Sequence, residues 1–183
     1  MNLADYIKVY QTDSGRLARV FDAVSKLEGW EQHGWYNAAK KATHSHETKE
    51  LFVRGVLDCP DLLKDCREWV MATVEAYARD TAMQTMITAI SNPRLNKYPT
   101  GTFMRPHVDH IHTLFDGELK GIPVISMVGV LNDDYQGGDL IICGEPYRLE
   151  PGQIIVWPSC FLYPHEVTEI TEGTRYSFVS WAW

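Results

Sequence analysis

The first half of the chain carries apolar residues at helical spacing. Between positions 16 and 27, apolar side chains recur at steps of three and four residues: Leu17, Val20, Phe21, Val24 and Leu27. This spacing predicts an amphipathic helix, for which Ser14 is a candidate N-cap and Gly29 a candidate end.

A second apolar stripe with the same periodicity follows Pro60, a residue that suits the first turn of a helix. The stripe predicts a helix that continues, more weakly, to about Ile90. Between the two helices we expect a short helical turn over 37–43, a polar loop over 44–50 and a strand over 51–56. Residues 1–91 are therefore predicted to be mainly helical.

Residues 92–183 have a different texture, in which short β-rich runs alternate with Gly, Pro and Asp. The predicted strands are 95–98, 102–109, 124–131, 140–143, 146–149, 153–157, 165–170 and 175–183. Short strands separated by turn residues are typical of a sandwich or a barrel. We expect the helices of the first half to pack on the outside of this β-core, so that residues 1–183 form one domain.

Composition excludes some classes of function. The net charge is −7, which argues against nucleic acid as a partner, because broad binding to a phosphate backbone needs clustered Lys and Arg. No apolar run is long enough to suggest a membrane span, and the first twenty residues do not resemble a signal peptide. The four cysteines form no CxxC pair. We therefore expect a cytoplasmic protein with reduced thiols and no membrane partner.

A histidine and a carboxylate stand two residues apart in the run 102–109. His107 and Asp109 would share one face of an extended strand, because strand side chains alternate. If folding brings His165 alongside, two imidazoles and one carboxylate lie on one side of a metal. Non-haem Fe(II) oxygenases use this arrangement, which leaves the opposite coordination positions open. The spacing alone does not decide the matter, since His and Asp two residues apart are common by chance.

Other histidines are weaker candidates. His110 and His112 fall on the opposite face and are expected in an exposed loop, with substrate contact as the alternative. His44 and His46 form a rival metal cluster with Glu47, yet no further partner is visible nearby. We expect a solvated loop there, with a role in covering the active site as the alternative.

The chain from Tyr98 onward resembles the prolyl 4-hydroxylase type of 2-oxoglutarate- and Fe(II)-dependent oxygenases. The matching pieces follow the family's order: Tyr98, His107-Val108-Asp109, Ser126 leading to Leu131-Asn132, Tyr135-Gln136-Gly137-Gly138-Asp139-Leu140, Pro151-Gly152, Ile154-Ile155-Val156-Trp157-Pro158-Ser159, His165-Glu166-Val167, Gly173-Thr174-Arg175-Tyr176-Ser177 and Trp181. The resemblance covers nearly half of the chain. It implies an α+β fold with a double-stranded β-helix, a jelly-roll core whose open end holds the metal.

The resemblance also implies roles for particular residues. His107, Asp109 and His165 would bind Fe(II). Arg175 would grip the far carboxylate of 2-oxoglutarate, for which the guanidinium fork is suited because it forms two parallel hydrogen bonds. Tyr98 is the other residue expected to reach the co-substrate.

One position departs from the family pattern. Val130 stands where members often have a tyrosine that helps to hold the co-substrate. The pocket therefore lacks one expected hydroxyl, and we expect Ser126, Ser177 or Tyr98 to compensate.

The implied activity is hydroxylation of proline in a peptide or protein, coupled to conversion of 2-oxoglutarate and O2 into succinate and CO2, with ascorbate as a possible aid. The runner-up substrate is a free amino acid or another small molecule. A nucleic-acid demethylase is the third candidate, disfavoured by the acidic charge. The alternative of another class is a non-catalytic jelly roll that binds metal or 2-oxoglutarate as a scaffold or sensor.

Overall fold

A computed structural model describes residues 2–37, 42–44, 50–84, 87–109 and 122–183, with 35–37 and 42–44 described by their backbone only. Within these ranges the chain forms two α-helices, a short 3-10 helix at Leu3–Tyr6, and strands in two larger sheets and one hairpin. Neither helix in these ranges combines the length and apolar character that crossing a membrane would require.

The helix predicted over 16–27 is confirmed, but α1 spans Ser14–Ser25, so it begins and ends two residues earlier and Ser14 is not its N-cap. The Asp13 side chain takes that role, since its Oδ1 accepts a hydrogen bond from the backbone N–H of Arg16 at 2.8 Å. A carboxylate at this position also interacts favourably with the positive end of the helix dipole. The helix ends at Ser25, before Gly29.

Helix α2 spans Pro60–Thr81, with Pro60 in its first turn as predicted. The predicted continuation to Ile90 is wrong. Ala82 adopts a left-handed conformation, with φ at 57°, and its N–H turns back to the carbonyls of the last turn, which ends the helix. Beyond it, Thr88 and Ala89 donate backbone hydrogen bonds to the carbonyl of Trp183, so this segment lies along the final strand.

The major sheet has eight antiparallel strands. Seven run in the order β1 (Lys8–Gln11), β12 (Gln153–Pro158), β8 (Ile125–Val130), β14 (Ile170–Ala182), β6 (Arg94–Pro99), β5 (Phe52–Gly55) and β2 (Glu31–Gln32), and β9 (Tyr135–Gly137) pairs with one end of β14. Three of these strands come from the first half of the chain. The prediction of a mainly helical first half is therefore wrong in part, although the predicted strand over 51–56 is confirmed.

The minor sheet has four strands. Their order is β11 (Glu145–Tyr147), β10 (Leu140–Ile142), β13 (His165–Val167) and β7 (Met104–His107). A separate hairpin pairs β3 (Trp35–Asn37) with β4 (Ala42–His44). The helical turn predicted over 37–43 is therefore wrong, since the described residues at both of its ends are in strands. The polar loop predicted over 44–50 begins in β4 and ends in a bridge at Glu50, and residues 45–49 lie outside the described residues.

The two faces of the major sheet pack against different layers. On the outer face, Leu95, Met127 and Phe178 pack against both helices, including Trp69 of α2. On the inner face, apolar side chains meet the minor sheet and close a second core. The predicted jelly-roll core with helices on its outside is confirmed, and the site lies between the two sheets.

Gly129 makes the outer packing possible. Its partner across the sheet is Phe178, and a Cβ atom at Gly129 would lie 2.3 Å from Cζ of that ring. Any side chain at position 129 would therefore displace the phenyl ring from the helix layer.

Candidate active site

Two paired strands of the minor sheet bring the predicted metal ligands together. His107 ends β7, His165 begins β13, and the two residues are direct partners across the sheet. Asp109 lies two residues beyond the end of β7. Its Oδ1 is 3.5 Å from Nε2 of His107 and its Oδ2 is 3.6 Å from Nε2 of His165. The three predicted ligand atoms therefore face one common point.

Backbone carbonyls orient both imidazoles. Nδ1 of His107 lies 2.8 Å from the carbonyl oxygen of Arg105, and Nδ1 of His165 lies 3.1 Å from that of Tyr163. A carbonyl can only accept, so each Nδ1 carries the proton and each Nε2 presents its lone pair to the common point. Burial also lowers the pKa of His107 to about 4, which keeps this imidazole neutral at pH 7.

Two donors hold the carboxylate of Asp109. The hydroxyl of Ser126 donates to Oδ2 at 2.7 Å, and the indole N–H of Trp181 donates to the same oxygen at 2.9 Å. Since Ser126 has a single proton, Ser159 donates its own to the Ser126 oxygen, 2.7 Å away. Burial alone would raise the pKa of Asp109, but the two imidazoles and these two donors outweigh it and lower the pKa. The carboxylate is therefore ionised and fixed in orientation.

The donor set fits Fe(II). Ligands at right angles and about 2.1 Å from a metal are about 3 Å apart, and the two Asp109 oxygens lie 3.5 and 3.6 Å from the imidazole Nε2 atoms. Within the described residues, the possible metal-binding group at this point contains only His107, Asp109 and His165, with ligand atoms within 4.8 Å of one another. Two neutral imidazoles and one carboxylate with the opposite side open is the arrangement that suits non-haem Fe(II).

Arg175 lies on the inner face of β14 and is 2% exposed. Its Nη1 donates to the hydroxyl oxygen of Ser177 at 3.0 Å, and its guanidinium carbon lies 5.1 Å from the ring centre of Tyr98, its partner across the sheet. Its buried Nε has no hydrogen-bond partner, and among the described residues no carboxylate pairs with it. A buried cation without an anion is costly, so this end of the barrel fits an incoming carboxylate.

The other predicted pocket residues differ in position. Burial raises the pKa of Tyr98, so its hydroxyl keeps its proton and can donate. Val130 and Ser177 are partners across the sheet, so the expected tyrosine would have stood beside Ser177. The Ser126 hydroxyl is used by Asp109, and its contact with the co-substrate stays a prediction. His110, His112 and His46 lie outside the described residues.

Sequence reasoning gave no role in the site to three side chains near the ligands. Trp181 carries a hydrogen bond to Asp109, the ring of Trp157 lies 4.8 Å from that of His165, and Arg94 lies 5.3 Å from the ring centre of Trp181. Strand alternation could have indicated two of them. Trp181 follows Arg175 by six residues and Arg94 precedes Tyr98 by four, and residues an even number apart on a strand share a face.

Comparisons with known proteins agree with this geometry. A family model described as the 2OG-Fe(II) oxygenase superfamily matches residues 93–183. A PKHD-type hydroxylase of Rippkaea orientalis is 30% identical in an alignment 184 positions long, which covers 92% of this chain and 73% of that protein. A PKHD-type hydroxylase of Thermosynechococcus vestitus is 29% identical in an alignment 145 positions long, which covers 73% of this chain and 63% of the relative. The chain thus spans less than two thirds of the second relative.

The chain belongs to the 2OG-Fe(II) oxygenase superfamily, whose cofactor and co-substrates are Fe(II), 2-oxoglutarate and O2. Its resemblance to the prolyl 4-hydroxylase type is confirmed by these PKHD-type relatives.

Solved structures show the same fold. A Trichoplax adhaerens prolyl hydroxylase, in complex with a peptide fragment of the hypoxia inducible factor oxygen degradation domain, aligns with a TM-score of 0.71 at 14% identity over 98% of this chain and 84% of that one. A Pseudomonas putida prolyl-4-hydroxylase aligns with a TM-score of 0.64 at 17% identity over 96% of this chain and 91% of that one.

Proposed function

We propose that this protein is a 2-oxoglutarate-dependent dioxygenase that hydroxylates proline in a peptide or protein and releases succinate and CO2. One observation carries the proposal. The ligand set of His107, Asp109 and His165 shares the barrel interior with Arg175, a buried cation that has no carboxylate partner among the described residues. A site for a metal alone would not need that arginine.

The three ligands would hold Fe(II) from one side and leave the other side to small molecules. Bound there, Fe(II) would supply the oxidative chemistry that couples decarboxylation of 2-oxoglutarate by O2 to hydroxylation. Arg175 and Tyr98 would fix the far carboxylate of 2-oxoglutarate, which orients its keto-acid end toward the metal. Ser126 and Trp181 keep Asp109 in its position throughout.

The protein also surrounds the site with apolar side chains. Inner-face side chains such as Val128, Val130 and Ile155 are buried between the two sheets. Such walls exclude bulk water and strengthen the hold of a guanidinium on a carboxylate.

Proline as the substrate is supported by the names of the relatives and by the peptide-bound structure with the same fold. A free amino acid or another small molecule is the second candidate. The guanidinium of Arg94, whose carbon lies 5.3 Å from the ring centre of Trp181, favours it, because a free amino acid carries its own carboxylate.

The test is succinate formation by purified protein with Fe(II), 2-oxoglutarate and ascorbate, combined with mass spectrometry of offered peptides and free amino acids. We expect succinate and a product heavier by one oxygen. His107→Ala should reduce both to background, whereas Glu169→Ala, a change at an exposed position, should leave them intact. An iron-loaded protein that forms no succinate with any substrate contradicts the proposal. Unchanged partner binding in His107→Ala without any turnover in the wild type would favour a scaffold.

A further inference from the structure

Arg94 is a second arginine of the barrel interior. It begins β6 and projects to the same face as Tyr98, four residues later on that strand. Its guanidinium carbon lies 5.3 Å from the ring centre of Trp181, the residue whose indole holds Asp109. The guanidinium is therefore one side chain away from the metal ligands.

Among the described residues, no carboxylate pairs with the charge of Arg94. Its Nε is buried without a hydrogen-bond partner, and within the described ranges its guanidinium forms no hydrogen bond and no ion pair. Burial lowers the pKa of Arg94, while the nearby Tyr98 and Asp109 oppose that effect. Arginine nevertheless remains protonated in proteins, so a positive charge stays in the barrel.

Asp109 forms no ion pair with Arg94, although its charge favours the protonated guanidinium. Its carboxylate is already committed to Ser126, Trp181 and the metal position. A divalent cation on that carboxylate would add positive charge near the guanidinium. Holding a guanidinium partly out of water without an anion is unfavourable, so an anion from outside would complete this position.

The co-substrate already has its own arginine. Arg175 is opposite Tyr98, whereas Arg94 is opposite Val179, four residues away along β14. At 3.3 Å per residue, the two positions are about 13 Å apart along the strand. Arg175 therefore serves one end of the inner face and Arg94 the other, beside Trp181 and the metal ligands.

We propose that Arg94 binds a carboxylate of the primary substrate and thereby holds the carbon to be hydroxylated against the metal centre. This inference rests on the proposed function. The carboxylate belongs either to a free amino acid or to an acidic residue or free C-terminus of a peptide. In both cases a planar guanidinium offers two parallel hydrogen bonds to it.

The experiment measures equilibrium binding by calorimetry, without turnover, to protein loaded with Mn(II) and 2-oxoglutarate. The probes are matched pairs that differ only in the carboxylate. The first pair is L-proline and L-prolinamide. The second is an end-blocked alanine–proline peptide with Asp or Glu beside the proline, and the same peptide with Asn or Gln there. The third is a peptide with a free C-terminal acid and the same peptide with a C-terminal amide. The proteins are wild type, Arg94→Met, Arg94→Lys and the control Arg148→Met, an exposed arginine.

We expect wild type to prefer the acid of at least one pair by roughly ten- to a hundredfold, as for a lost hydrogen bond to a charged group. Arg94→Met should abolish that preference, Arg94→Lys should keep part of it, and Arg148→Met should keep all of it. A preference for L-proline identifies a free amino acid as the source of the carboxylate, and a preference within the peptide pairs identifies a peptide.

Two results would overturn the inference. One is a wild-type protein that binds the acid and the amide of every pair equally well. This result does not depend on whether any variant folds. The other is an Arg94→Met protein that keeps the preference or loses affinity for 2-oxoglutarate or Mn(II) instead, which would assign Arg94 to the co-substrate or to the support of Trp181. Succinate formation with Fe(II) separates these from failure of the proposed function. An active enzyme without acid preference refutes the role of Arg94 alone, whereas absence of any turnover refutes the dioxygenase.

Discussion

The outer and inner faces of the major sheet come from the same strands and have opposite character. On the outer face, fully buried apolar side chains such as Leu95, Ile154 and Phe178 meet the helices. On the inner face, the alternate positions include Arg175, Ser177 and Ser126, whose polar atoms face the site. Alternate residues of one strand thus face opposite sides of the sheet, so one set contributes to stability and the other to the site. Changes on one face should therefore affect unfolding, and changes on the other should affect ligands.

The largest expected effect belongs to the outer face. Phe178→Ala should lower the free energy of unfolding by about 3–5 kcal/mol, because it leaves a cavity under Trp69 and over Gly129. Chemical denaturation would measure it. Because Phe178 lies on the face away from the site, the fraction still folded should keep its affinity for 2-oxoglutarate. A large loss of that affinity in folded protein would show that the two faces are coupled.

The next effect belongs to the inner face. Arg175→Met should weaken binding of 2-oxoglutarate roughly ten- to a hundredfold, because it removes the charged partner of the far carboxylate. Calorimetry with Mn(II)-loaded protein would measure this change, with Arg148→Met as the matched surface control. Stability should not fall, since the variant also removes a buried cation with which no carboxylate of the described residues pairs. Unchanged affinity would remove Arg175 from the co-substrate site.

The smallest effect concerns a residue that contacts a ligand of the metal. Ser126→Ala should weaken metal binding about tenfold, the lower end for loss of a hydrogen bond that orients a ligand. Trp181 would still hold Asp109, which limits the loss. Competition with a chelator would measure the affinity, and Ser25→Ala on the exposed side of α1 serves as the control. Equal affinities in both variants would show that Trp181 suffices.

Much of the β-core could be predicted from sequence because its strands are short, alternating and separated by turn residues. The N-terminal strands were harder. β1 pairs with β12, more than a hundred residues away, and no local pattern records such a partner. The end of α2 was equally difficult to predict. Ala82 ends the helix in a left-handed conformation, for which the sequence signal is a glycine or an asparagine.

The candidate site could likewise be predicted only in part. Strand parity grouped His107 with Asp109, yet β7 ends at His107 and Asp109 is positioned by Ser126 and Trp181 rather than by the strand. Such hydrogen bonds join residues that are distant in the chain. The resemblance to the family indicated Arg175. That Arg94 pairs with no carboxylate of the described residues becomes visible only in the folded structure.

The length of β14 has a consequence for how this protein can vary over evolution. Arg175, Ser177 and Trp181 occupy alternate positions of one strand, so a single-residue insertion or deletion just before Arg175 would shift the register and point all three away from the barrel. The register already shifts between Ile170 and Glu172, upstream of these residues. Insertions and deletions are therefore tolerable at that upstream end of the strand. From Arg175 onward, substitutions are tolerable, but insertions and deletions are not.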